Sequence, residues 1–481
     1  MCVGGILPCR PGPVKLAAAG YIPSMRANAS LEPTPGLLAV ARGLREAGHE
    51  AWAVGGAVRD RLLAETPGDW DVATDAEPDR VRAIFPRTFP VGIEHGTVGV
   101  QAAEETIEVT TFRTDVATDG RHSEVRFGVS LEEDLARRDF TINAIAWDPV
   151  GGDLRDPFGG RADLERGVLR TVGDPDRRLP EDYLRVLRAF RFAARFGLEY
   201  EERTRTALAR HAIGVSRLSG ERVRDELLKT FAQARRASRA LSDWQETGAM
   251  ARLLPEVAVG FGVEQNRFHA DDVGIHTLMV VDNVHQRRPF LRVVALFHDV
   301  GKPPTRVSHP ETGDWTFPQH ERIGAELTRQ AMSRLRFSNR EIERAVHLVR
   351  VHMDLFPPEA SDAAVRRWIR RVGEENVWDL YRLHLADWRG NRNRGSERPL
   401  VERFRRVRAV LAAEHALTVG DLAIDGDDLV ALGLEPGPLF GAVLEATLER
   451  VVEEPALNTR ERLLTLVRDE ILPARTAGRD R

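Results

Sequence analysis

Cysteine is almost missing from this 481-residue chain, and the two present, Cys2 and Cys9, both fall in the first ten residues. That excludes a disulfide framework and a cysteine-ligated zinc site, and it suits a reducing cytoplasm. Lysine is nearly missing too: Lys15, Lys229 and Lys302 are the only three among 69 basic residues. Arginine supplies the rest. Its planar fork suits bidentate phosphate contacts, although GC-rich codon usage accounts for most of such a bias. No run approaches about 20 consecutive apolar residues, so a membrane-spanning helix is excluded. Charge of one sign is lacking as well. A formal net charge of −4 excludes a uniformly basic nucleic-acid coat and leaves a local basic face. With 42% hydrophobic and 30% charged residues the chain has material for several cores, which excludes wholesale disorder. The length predicts about three domains at roughly 100–200 residues each. The opening MCVGGILPCRPGPVKLAAAGYIPS lacks a compact charged-then-apolar signal. Residues 1–33 read as a disordered tail or an over-long gene start, with Met25 a candidate true start.

What is present begins with a helical period over 36–50, ending in a glycine. AWAVGGAVRD then reads as a buried strand, a Gly-Gly turn and a helix start. WDVAT, TVGVQ and TIEVTTFR read as strands. From about residue 160 onward the pattern is mostly helical, and RVLRAFRFAARF and RVRDELLKTF are amphipathic and rich in arginine. Between Arg161 and Ala240, 19 Lys/Arg stand against 12 Asp/Glu, a net of +7. A solvated helix face explains this as well as a surface for a nucleic-acid backbone does. A histidine-bearing helical region spans about 265–390, and a helical tail containing LEPGPLFG follows. There is no internal repeat.

Three constellations carry chemistry. In the first, Asp69 and Asp71 flank Trp70 at a strand start, so alternation puts both carboxylates on one face. Like charges there are costly unless a cation lies between them, and hard divalent ions such as Mg²⁺ favour oxygen ligands. Before them stand Gly55 and Gly56, which let backbone approach a phosphate, and Arg59, a charged fork at the helix start. Glu108 lies in a strand on the face opposite Ile107 and Val109. The three carboxylates suit two-metal phosphoryl or nucleotidyl transfer. In the second, Arg137-Arg138-Asp139-Phe140 sets charges against an apolar stretch, where Arg138 could hold a triphosphate or ribose and Asp139 could orient it; a buried structural ion pair is the alternative. Further on, Asp182 and Arg185 lie three apart and Glu181 and Arg185 four apart on a helix, a spacing that also makes plain surface salt bridges. A carboxylate beside an arginine matches the amino donor and ring-nitrogen acceptor that cytosine and adenine share, and rejects the reversed edges of guanine and uracil. Arg188 and Arg191 continue this stretch toward phosphates.

These motifs together resemble the class II tRNA nucleotidyltransferases, the CCA-adding enzymes and their bacterial poly(A) polymerase relatives. The resemblance runs over about residues 36–250: VGGAVRD at 54–60, DWD at 69–71, EVTTFR at 108–113, DGRH at 119–122, DLARRDFTINA at 134–144, DPFGGRADL at 156–164 and EDYLRVLRAFRFAARF at 181–196. It implies Asp69 and Asp71 as Mg²⁺ ligands with Glu108 a third carboxylate. Gly55, Gly56, Arg59, Arg138 and Asp139 would bind the nucleoside triphosphate. Asp182 and Arg185 would be the amino-acid template for C and A, with Arg188 and Arg191 assisting. It further implies CTP, ATP and the acceptor end of tRNA as partners, pyrophosphate as product, and a cytoplasmic enzyme. One departure is visible: the segment between Arg113 and Arg137 is about two residues shorter than in full CCA-adding relatives, where it helps the switch from C to A. That makes a CC-adding specialist an alternative; an A-adding specialist, and poly(A) polymerase, which shares the head motifs, are further ones.

In the third constellation, His276, then His298-Asp299, then Asp387 resemble the HD metal-dependent phosphohydrolase superfamily. His320 and His352 stand where a second metal would need them, and imidazoles with carboxylates suit Mn²⁺, Fe²⁺, Ni²⁺ or Mg²⁺. Lys302 fits as a phosphate contact. A reading that makes this centre the main activity, with the head reduced to RNA binding, is a further alternative. The expected fold is α+β: a nucleotidyltransferase head with a small mixed sheet over 34–170, a helical neck over 171–250, an HD domain over 251–400 and a helical tail over 401–481.

Overall fold

The structure is a computed structural model that describes residues 31–476 apart from 67, 93–95, 119–122, 394 and 414. The expected tail before residue 31 and the DGRH segment therefore lie outside the described residues. Two compact units emerge. The first holds residues up to Val263 together with His285–Arg292 and Gln330–Ser338; the second holds the rest.

The first unit opens with α1 (Pro35–Glu46), whose start is set by Pro35 and by the Thr34 hydroxyl, which accepts the Leu37 amide hydrogen. Its buried face is Leu37, Val40, Ala41 and Leu44. The helix stops at Ala47, and Gly48 follows with a φ of +88°. Then come β1 (Trp52–Val54), α2 (Gly56–Leu62), β2 (Asp71–Thr74), α3 (Pro78–Ile84), β3 (Thr88–Gly92), β4 (Thr97–Ala102) and β5 (Glu105–Thr111). A hairpin of β6 (Arg113–Thr118) and β7 (Ser123–Phe127) precedes α4 (Leu131–Ala136), β8 (Ala146–Trp147) and β9 (Leu154–Arg155). The main sheet has the order β3-β4-β5-β2-β1-β8-β9. Only the β2–β5 pair within it is parallel, so the sheet is mixed, as expected.

Helices complete this unit: α5 (Gly160–Arg166), α6 (Pro175–Glu181), α7 (Leu184–Phe196), α8 (Glu202–His211), α9 (Gly220–Gln233) and α10 (Ala237–Glu246). The single helix expected across 181–196 is broken. Pro180 cannot donate a backbone hydrogen bond, and Asp182 is extended (φ −154°, ψ 108°), with its carboxylate accepting the Leu184 amide hydrogen at 3.0 Å. Asp182 and Arg185 therefore do not sit on one helix face.

Half-buried Tyr200 donates its hydroxyl hydrogen to Asp243 of α10 at 2.6 Å. Burial pushes the Asp243 carboxyl up to about 7, although the Tyr200 hydrogen bond works against the rise. A folded-state pKa above the unfolded value gives stability at low pH that is lost as pH rises through about 7. Asp243→Asn keeps the acceptor and removes the charge. It should raise stability at pH 8 by on the order of 2–4 kcal/mol more than it does below about pH 4, read from denaturation midpoints at the two pH values.

In the second unit the helices Val273–Asn283 and Glu374–Gly390 pack together, and a Cβ on Gly390 would come within 2.8 Å of Val280. A C-terminal core gathers Leu429, Val443, Val451, Val452, Leu463 and Val467. Among the described residues, no helix is long and apolar enough to cross a membrane.

Candidate active sites

In the head, the sheet register does the positioning. Asp71 pairs with Val54 across the antiparallel β1–β2 ladder and with Glu108 across the parallel β2–β5 ladder. Directly paired residues of neighbouring strands share a face, so Asp71 and Glu108 project together. Trp70 is buried and tilts against Trp147, ring centroids 6.0 Å apart. Asp69 precedes β2 rather than lying within it, yet its charge is felt at Asp71. Burial pushes the Asp71 carboxyl up to about 6; Glu108 and Asp69 add to the rise and Arg138 opposes it. Acidic groups gathered around Asp71 in this way are costly to one another unless a cation lies among them.

The Gly-Gly turn closes this site from above. Gly55 has a φ of +76°, and a Cβ there would lie 2.9 Å from Arg138 Nη1 and 3.8 Å from Asp71 Oδ2. The backbone angle favours glycine here, and its lack of a side chain leaves the Arg138 guanidinium room beside the turn. Arg138 donates to Asp134 Oδ2 at 3.2 Å and to the Asn143 carbonyl at 3.4 Å, which aims it at the turn.

The other anticipated residues form two further groups. Arg59 is buried, donates to Asp60 and to the Asn143 side chain, and lies over the Phe196 ring at 4.6 Å. Asp139 accepts from Asn143 at 2.9 Å and from Arg188 of α7 at 2.7 Å; burial opposes its ionisation, but these partners hold it down at about 2. Arg191 donates to Glu226 of α9 at 2.5 Å and to Gln233 at 2.9 Å. Arg59, Arg188 and Arg191 all face the Phe192 ring, at 5.1, 5.2 and 4.2 Å. At the break between α6 and α7, Arg185 donates to Glu181 at 2.5 Å and to the Arg178 carbonyl at 2.8 Å. Asp182 instead accepts from Arg222 at 2.7 Å. Tyr183 between them fills the space beside Gly214, whose added Cβ would lie 1.9 Å from the ring, and Arg217 lies over that ring at 5.3 Å. Asn143, Arg222, Glu226 and Gly214 were not anticipated. RVRDELLKTF showed amphipathicity, but nothing in its spacing gave the distant partners of Arg222 and Glu226.

The second centre lies wholly within the second unit. His298, His320 and His352 each direct Nδ1 at a backbone carbonyl: Ala295 at 2.7 Å, Phe317 at 2.9 Å and Val349 at 2.6 Å. A carbonyl only accepts, so Nδ1 carries a hydrogen, and in the neutral ring Nε2 carries the lone pair. Those Nε2 atoms converge on one carboxylate. Asp299 Oδ2 lies 3.2 Å from His298 Nε2 and 3.7 Å from His276 Nε2, while Asp299 Oδ1 lies 3.6 Å from His320 Nε2 and 3.7 Å from His352 Nε2. His276 Nε2 is 3.0 Å from Asp387 Oδ1, and His320 and His352 face each other Nε2 to Nε2 at 3.3 Å. The donor set divides into His276, His298 and Asp387, and Asp299, His320 and His352. So many electron pairs turned inward repel unless cations lie among them, which is how metal-binding histidines are oriented. Lys302 Nζ lies 2.7 Å from Asp299 Oδ2. Burial disfavours the charged form of Asp299, but His298 and Lys302 hold its carboxyl well below the usual range. Gly301 makes the assembly possible: a Cβ there would lie 2.0 Å from the His320 carbonyl oxygen. His269, also unanticipated, stands beside His276 with ring centroids 5.4 Å apart.

A mixed sheet presenting paired carboxylates beside a Gly-Gly turn, followed by arginine-rich helices, defines a nucleotidyltransferase. Residues 51–170 match the Poly A polymerase head domain, 197–260 match the Probable RNA and SrmB- binding site of polymerase A, and 273–414 match the HD domain. The chain is 36% identical to the A-adding tRNA nucleotidyltransferase of Deinococcus radiodurans over 82% of this chain and 90% of that one. It is 35% identical to the CC-adding tRNA nucleotidyltransferase of Thermus thermophilus, over 84% and 90% of the two chains. The CTP complex of the Bacillus stearothermophilus CCA-adding enzyme superposes with a TM-score of 0.72 at 30% identity, covering 92% of this chain and 98% of that one. The chain belongs to the tRNA nucleotidyltransferase family, that of the CCA-adding enzymes, and it carries an HD domain in its C-terminal half.

Proposed function

We propose that the head adds C, C and A from CTP and ATP to the 3′ end of tRNA in the cytoplasm, releasing pyrophosphate. The observation that carries this is the register of Asp71 with Glu108, with Asp69 adjacent and Arg138 facing the same site. Asp69 and Asp71 would hold Mg²⁺ with Glu108 beside them; when bound, the ion would acidify the attacking 3′-hydroxyl and neutralise triphosphate charge. Gly55, Gly56 and Arg138 leave room and positive charge for the triphosphate. Arg59 and Asp139 support that wall from behind. Asp182 and Arg185 would read the base edge, each held by its own partner, with Arg188 and Arg191 fixing the helix beneath them. In the second unit, the two donor sets would hold divalent metal ions and hydrolyse a phosphoester.

A second reading is a CC-adding specialist, favoured by the short stretch between Arg113 and Arg137. Transcripts ending before CCA, after C and after CC, each offered CTP, ATP or both, decide between the two. Completion of CCA on all three ends supports the full enzyme. Arrest at CC makes it the specialist, A addition only to the CC end makes it the complementary enzyme, and long A tails make it a poly(A) polymerase. The template assignment is tested by Asp182→Ala, which should cut discrimination of CTP over UTP by about tenfold or more, the worth of one base-edge contact. Unchanged discrimination would remove Asp182 from that role.

A further inference from the structure

One wall of the HD centre is built by residues 264–272, which belong to none of the matched family stretches. The wall is anchored at both ends. Gln265 accepts a hydrogen from Lys302 Nζ at 2.7 Å and donates to the Asp271 carbonyl at 3.2 Å. The Asp271 carboxylate takes the fork of Arg392, and the Arg267 amide donates to Asp314 at 3.2 Å. Asp272 then caps the helix that carries His276, accepting the Ile275 amide hydrogen at 2.7 Å.

His269 is the side chain this wall turns toward the centre. Its ring stands edge-on to that of His276, centroids 5.4 Å apart. Its orientation follows from its own partner. Asn266 Oδ1 accepts the Phe268 amide hydrogen at 3.2 Å, which fixes the amide oxygen, and His269 Nδ1 lies 2.8 Å from the same oxygen. An amide oxygen only accepts, so Nδ1 carries the hydrogen and Nε2 presents a lone pair. His269 belongs to neither donor set.

We propose that His269 is a catalytic residue of the HD centre, its Nε2 accepting a hydrogen from the water that attacks a phosphoester. The inference rests on the phosphohydrolase reading of that centre. As the water oxygen bonds to phosphorus the ester P–O bond breaks, and the proton taken by Nε2 is returned to the departing oxygen, which leaves as the alcohol.

The test uses full-length protein loaded with Mn²⁺, with bis(p-nitrophenyl) phosphate as substrate. His269→Ala should lower kcat about a hundredfold, within the usual range for a lost acid–base or water-orienting group. KM, the Mn²⁺ content after dialysis and CTP transfer should stay within about threefold. His269→Gln, which restores an acceptor, should recover about tenfold. Unchanged hydrolysis in His269→Ala overturns the proposal. So does loss of Mn²⁺ matching that of His298→Ala, which would make His269 a ligand, or a Gln variant no better than Ala, which would make it packing. Wild-type protein that binds Mn²⁺ but hydrolyses nothing overturns the phosphohydrolase reading together with this one. Active wild type with an unaffected His269→Ala overturns this one alone.

Discussion

Asp71→Asn is expected to lower CTP and ATP incorporation at least about a thousandfold, on the order of 4 kcal/mol in the barrier, with tRNA binding changed less than threefold. Asn is nearly the same size and keeps a hydrogen-bonding oxygen, so the sheet should tolerate it. What is lost is a charge at the centre of the carboxylate cluster, in register with Glu108 and near Asp69. Removing it also relieves mutual repulsion, so the variant should be no less stable than wild type without added Mg²⁺. Melting temperatures and single-nucleotide gels separate these effects; activity within tenfold of wild type would sink the metal assignment. A pH signature accompanies it. Because burial and its acidic neighbours raise Asp71 to about 6, protons compete with the cation there. Below that pH the Mg²⁺ concentration for half-maximal transfer should rise by up to about tenfold per unit, since each Asp71 must lose its proton before it can serve as a ligand. Above it, the requirement should level off.

Much of the head was legible because its chemistry sits on period-two segments. The alternation of Ile107, Glu108 and Val109 correctly put Glu108 on its own face, and β5 formed where the pattern indicated. The Gly-Gly turn was visible as composition, but its reason was not: only the structure brings Arg138 within 2.9 Å of a Cβ at Gly55. The stretch after Pro180 misled for a physical reason. Its residues have helical spacing, but a proline without a donor and an aspartate able to cap the next turn break the helix between Glu181 and Leu184. Long-range ion pairs such as Asp139–Arg188, Asp182–Arg222 and Arg191–Glu226 leave no local trace, because their partners are 35 to 49 residues apart. In the HD centre the ordered histidines and aspartates were legible one by one. The common tautomer of His298, His320 and His352 was not, since it depends on carbonyls that only the folded helices supply.

Asp299 is where the second centre is most exposed to a single change. Among the described residues it is the one carboxylate that reaches both donor sets, with Oδ2 toward His298 and His276 and Oδ1 toward His320 and His352. Asp299→Asn should therefore lose retention of metal at both sets and lower phosphodiester hydrolysis by about a thousandfold or more. It should leave CTP transfer within twofold, because Asp69, Asp71 and Glu108 belong to the other compact unit. Asp387→Asn is the internal comparison. Asp387 belongs to only one of the two sets, so this variant should retain about half the Mn²⁺ of wild type after dialysis. Thermal unfolding supplies a reading independent of activity. A ligand at a hundred times its Kd stabilises the folded state by about 2.7 kcal/mol, so Mn²⁺ should raise the wild-type melting temperature. The rise should be smaller in Asp387→Asn and absent in Asp299→Asn. The substitution also leaves the buried Lys302 ammonium without its carboxylate partner at 2.7 Å, so the variant should melt below metal-free wild type. If Asp299→Asn keeps its full Mn²⁺ content and the same thermal shift, Asp299 does not join the two sets, and each must close on other ligands.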